Sequence, residues 1–154
     1  QKHPGEATAA QASLSSATGN LVMQGCDPIS EWQEIKTLLA VAADLNADPV
    51  VNQSRMAQAA AIRNRIFSEG RPLNTAAARE AENWHKGLWT NLDAWAQRDP
   101  LHERMVKAFR VTYFQSQVLL EDYFMDKGFT YQQARPLAMA TMRTLVGYQL
   151  QRFV

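Results

Sequence analysis

The sequence predicts an all-α protein: a bundle of about five long helices behind an irregular N-terminal lead-in. Two observations carry that expectation. Asp-Pro pairs recur at Asp27-Pro28, Asp48-Pro49 and Asp99-Pro100, each directly before a stretch with helical apolar spacing. An Asp carboxylate at the N-cap accepts a bond from an orphan backbone N–H, and proline suits the first helical position, where its missing N–H would go unpaired anyway. No segment alternates polar and apolar residues with period two, as a half-buried strand would. At 154 residues, 46% hydrophobic and 20% charged, the chain is long and apolar enough for one domain with a substantial core.

Residues 1–26 are rich in Ala, Ser, Thr, Gln and Gly and read as a flexible or draped lead-in; residues 27–154 read as one helical-bundle domain. The first main helix is expected over Pro28 to Asn46, with Trp32, Ile35, Leu39 and Ala42 on one stripe and Leu38 and Leu45 beside it. The second, Pro49 to Glu69, carries Met56, Ala59, Ala60, Ile62, Ile66 and Phe67. Gly70 and Pro72 then end it. Asn74 caps the third, Thr75 to Gln97, whose stripe is Trp84, Leu88, Leu92 and Trp95.

The fourth helix, Pro100 to Lys127, has a narrow polar column of Glu103, Lys107, Arg110, Gln117 and Glu121. It is otherwise so apolar that burial by neighbours on several sides is expected. Gly128 stops it. Thr130 and Gln133 then form a capping box, with Phe129 as a possible staple, for a fifth helix over Tyr131 to Phe153. Pro136 should kink or delay that helix. Gly147, costly by ~1 kcal/mol in a helix interior, implies a close neighbour.

Chemical motifs are scarce. The formal net charge of +1 offers no bulk field for nucleic acid or an anionic membrane, and Arg55, Arg63, Arg65 and Arg71 share no helical face. No apolar run approaches the ~20 residues of a membrane span. Cys26 is the only cysteine, so no internal disulfide forms. It precedes a helix start that would favour its thiolate, but it reads first as a plain buried or surface thiol. Glu82-x-x-His85 and Asp99-x-x-His102 have the spacing of carboxylate-bridged metal half-sites, but the fifth helix offers no His, Asp or Glu to complete one. They read as exposed polar residues, with Asp99 as a cap. No catalytic residue, metal site or cofactor is therefore assigned.

The aromatic residues of the third and fourth helices are the sharper feature. Trp84, Trp89, Trp95, Phe109, Tyr113, Gln117 and Tyr123 are candidates for lining a pocket for a small lipophilic ligand; the competing reading is an ordinary bundle core. Met139, Val146, Gly147, Leu150 and Phe153 are candidates for an interface on the last helix.

Residues 92–151 carry a run, Trp95-Ala-Gln-Arg-Asp99-Pro100-Leu-His-Glu-Arg104, then Gly128-Phe-Thr-Tyr-Gln-Gln-Ala-Arg135, then Thr144-Leu-Val-Gly147-Tyr-Gln-Leu150. This resembles the end of TetR-like regulators. The resemblance implies a homodimer through the last two helices and an effector pocket enclosed by the helices before them. Residues 1–50 contain no helix-turn-helix, so DNA binding is not carried over. The functional expectation is a non-enzymatic domain that binds a small lipophilic ligand, or self-associates through its last two helices. The alternative is a helical subunit or adaptor of a larger, possibly exported, protein assembly.

Overall fold

The computed structural model describes residues 28–46, 53–67 and 75–154. Among these residues there are five α-helices and no strand: α1 (Pro28–Asn46), α2 (Gln53–Ile66), α3 (Thr75–Ala96), α4 (Pro100–Asp126) and α5 (Tyr131–Val146), then a 3-10 turn, Gln151–Phe153. The predicted class is therefore the observed one. The lead-in, Cys26, the caps at Asp27, Asp48 and Asn74, and the stop at Gly70 and Pro72 lie outside the described residues.

The helix boundaries that can be seen follow local chemistry. Asp99 is extended, and its Oδ1 accepts from the amides of Leu101 and His102 at 2.9 Å each, with Pro100 opening α4. At the other end, the Gly128 and Phe129 amides donate to the carbonyls of Met125 and Phe124 at 3.0 and 3.2 Å. This Schellman pattern needs a residue at positive φ, and Gly128 supplies it at 101°. The Thr130 capping box forms with both bonds present and starts α5 at once. Pro136 does not delay the start, and the helix continues through it.

α4 is central. It packs against α5, α3 and α1, and α5 packs in turn on α3 and α2. The larger core cluster joins Ile35, Leu38 and Leu45 of α1 to Leu88 and Leu92 of α3, Met105 and Phe109 of α4, and Met142 and Val146 of α5. A second cluster, around Ile62, Ile66, Phe124 and Leu137, lies between α2 and the joint from α4 to α5. The stripe of α1 is broader than the spacing suggested, because Val41 is fully buried while Leu39 is only partly so.

The end of the chain departs from expectation. α5 does not reach Phe153 but stops at Val146, and Gly147 is its C-cap with φ −60° and ψ −36°. Bonds of i→i+3 type follow, from Gln149 to Val146 at 3.0 Å and from Leu150 to Gly147 at 3.1 Å. The tighter winding turns both Leu150 and Phe153 inward, where they are buried. The Phe153 ring meets Trp95 edge-on at 5.9 Å, and its carbonyl accepts from Asn91 Nδ2 at 2.8 Å. Gly147 does have a close neighbour, but it is within the chain. A Cβ there would abut the Arg143 carbonyl oxygen and lie 3.4 Å from Trp84 Cζ2. Since a backbone oxygen cannot step aside as a side chain can, Gly147→Ala should destabilise the fold by about 1–3 kcal/mol. Urea unfolding checks this, and an unchanged midpoint would contradict the packing at Gly147.

Candidate functional site

The seam between α3 and α4 gathers most of the aromatic candidates. Tyr113 and Phe109 are fully buried with ring centroids 5.8 Å apart. Trp89 meets Tyr113 edge-on at 5.1 Å, and Trp84 meets His85 edge-on at 4.9 Å. The remaining candidates are elsewhere. Trp95 sits against His102 (4.3 Å) and Phe153, whereas Tyr123 packs on the second cluster beside Phe124. Gln117 is buried and donates to Glu121 Oε2 at 3.1 Å. The rings of the seam thus spend their faces and edges on one another. The interface candidates are also taken up inside the chain. Val146, Leu150 and Phe153 belong to the main core, Gly147 faces Trp84, and Met139 packs on the second cluster.

Both histidines of the metal-like spacings are buried, not exposed as expected. His85 and His102 are each only 3% exposed. His85 shares the stripe of Ala81, Leu88 and Leu92, and that shared spacing was the available signal. Its Nδ1–H donates to the Ala81 carbonyl at 2.7 Å, which leaves Nε2 to accept from the Tyr113 hydroxyl at 2.6 Å. Burial is the main cause that holds the His85 pKa below its ordinary value; the Ala81 bond works upward and the Arg143 charge downward. Burial also lifts the Tyr113 phenol far above its ordinary range. Both groups are neutral, so a plain hydrogen bond ties α3 to α4 in a buried seam. His102 Nδ1 lies 2.8 Å from Asp99 Oδ2. Slight burial works upward on the Asp99 carboxyl, but His102 and the two capping amides outweigh it and set its pKa below the ordinary value.

The outer side of α4 corrects a second expectation. The polar column does not mark the solvent face along its whole length, since Gln117 and Glu121 are 8% and 7% exposed. In their place Val111 and Phe114 are 47% and 44% exposed, with Met125 at 43% and Val118 half-buried between them. The inward polar pair is tolerable because Gln117 and Glu121 satisfy each other across one helical turn. Residues 111, 114, 118 and 125 follow i, i+3, i+7 and i+14, one continuous stripe. Trp89 extends it sideways onto α3, its ring 5.2 Å from that of Phe114. The Arg110 guanidinium lies 5.1 Å over Trp89 and pairs with Asp93, which fixes the rim of this surface.

Other possibilities are thinner. A groove of about 250 Å³ opens between α3 and α5, lined by Ala78, Glu82, Arg135, Pro136 and Met139. None of the aromatic pocket candidates lines it. Among the described residues no three His, Cys, Asp or Glu side chains converge as a metal ion would need, and no helix is long and apolar enough to cross a membrane.

The seam makes stability pH-dependent. His85 is neutral when folded and takes a proton more readily once unfolded, so its contribution is complete above about pH 6.5 and is lost as pH falls below that. Thermal melts from neutral to acidic pH should show this decline, and His85→Gln should flatten it. Tyr113→Phe strands the Nε2 acceptor and should cost about 1–3 kcal/mol at neutral pH. An equal stability of the two proteins would rule out the hydrogen bond as a stabilising contact.

Comparison of the chain with protein-family models, with curated proteins and with solved structures gives no match.

Proposed function

We propose that this chain works by binding rather than by catalysis, as an all-α subunit or adaptor that meets another protein through the outer face of α4. The observation that carries the reading is the exposed stripe of Val111, Phe114 and Met125, flanked by Trp89. A helix that buries a Gln–Glu pair while presenting Phe and Val to water inverts the usual order. Solvent-facing apolar side chains set in a row along one helix mark a surface that gains by being covered. Aromatic anchors rimmed by a fixed Arg–Asp pair have the make-up of an interface centre.

A small-ligand reading draws its support from the groove at Glu82, Arg135 and Met139. That groove is smaller than the roughly 300–1,000 Å³ of ordinary ligand sites and offers one carboxylate and one guanidinium. The regulator-like resemblance favours self-association, which is compatible with the α4 face as the contact.

A photo-crosslinking side chain at position 114 tests the reading. Irradiation in the cells that make the protein should give adducts of discrete mass, absent when the same group replaces the exposed Lys86 on α3. Position 114 giving no more adduct than position 86 would refute the α4 surface as a protein contact.

A further inference from the structure

We infer that the occupant of the α4 face is a second copy of the same chain, laid antiparallel across a two-fold axis between Phe114 and Gln115. The inference rests on the reading of that face as a protein contact and adds the partner's identity and register.

The argument is one of self-complementarity. An isologous contact requires a surface to match itself after a half-turn, with position i meeting j and j meeting i. The open face of α4 does so about its midpoint. Val111 and Val118 are equidistant from a point between residues 114 and 115, so each would meet the other's counterpart, with Phe114 at the centre. Charge follows the same rule. Arg104 and Lys107 stand exposed toward the start of the face, and Asp126 stands exposed toward its end. After the half-turn Arg104 comes beside Met125 and Asp126. At 100° per residue, Arg104 and Asp126 lie on one edge of the face, while Glu103, which bridges Lys107 at 3.7 Å, lies on the other. A parallel copy would instead stack like charge on like. The arrangement therefore selects direction as well as partner.

The size of the face sets the strength. It runs about 33 Å along the helix at ~1.5 Å per residue and is about one helix wide. That is less than the roughly 800 Å² per partner of stable complexes, so the dimer should form in a concentration-dependent way.

Sedimentation velocity of the full-length protein from about 5 to 500 μM tests this, over the range of weak association. The expected result is a monomer–dimer equilibrium that Phe114→Asp weakens at least about tenfold. Arg104→Asp should weaken it too, and adding Asp126→Arg should restore it, because the two charges are exchanged across the axis. All three positions are exposed, and circular dichroism of each variant should match the parent. A protein that stays monomeric throughout overturns the inference, as does a dimer indifferent to Phe114→Asp and Arg104→Asp. A double variant that fails to regain the dimer overturns the antiparallel register. The underlying reading fails separately: crosslinking from position 114 to a different protein by a monomeric chain would sink the homodimer but keep the surface. A monomeric chain with no crosslink there would sink both.

Discussion

The bundle depends on how α4 accommodates its inward polar groups, because that helix has neighbours on three sides and each must be met in the right register. The Tyr113 hydroxyl is satisfied by His85 of α3, and the Ser116 hydroxyl donates to the Leu45 carbonyl in the last turn of α1 at 3.0 Å. Both bonds are buried, and sliding either neighbour by one turn would leave a donor or acceptor stranded in apolar surroundings. Apolar packing alone would tolerate several offsets. These two contacts specify one, and the Arg143–Glu80 pair at 3.1 Å ties α5 to α3 in the same frame.

Placing the polar obligations inside has an effect outside. Gln117 and Glu121 occupy the side of α4 turned toward the bundle, which leaves Val111, Phe114 and Met125 to face water. The same rotation that satisfies the seam thus creates the surface proposed to bind. Core and surface are two aspects of a single helical phase.

The fold was largely legible because its punctuation is local. Asp99-Pro100, Gly128 and the Thr130–Gln133 box each act within one turn, and all three sit where the sequence places them. The end of α5 was not legible, since Gly147 reads alike as a mid-helix break and as a cap; contact with Trp84 and the inward pull on Phe153 decide it. The site was less legible still. Periodicity assigns polar residues to solvent, and it cannot foresee that Gln117 and Glu121 satisfy each other or that His85 finds a phenol 28 residues away. The first is local but is decided by which side of α4 the bundle covers, and the second needs a partner on another helix.

The tail that closes the core orders events during synthesis. Trp95 leaves α3 with its edge covered by Phe153, and Asn91 waits for that residue's carbonyl. On the ribosome, α3 and α4 emerge well before residues 150–153, so their seam stands open at one end until translation has passed Phe153 and that residue has cleared the exit tunnel. A nascent chain stalled short of that point would present Trp95 and its surroundings to solvent, the kind of surface that chaperones hold.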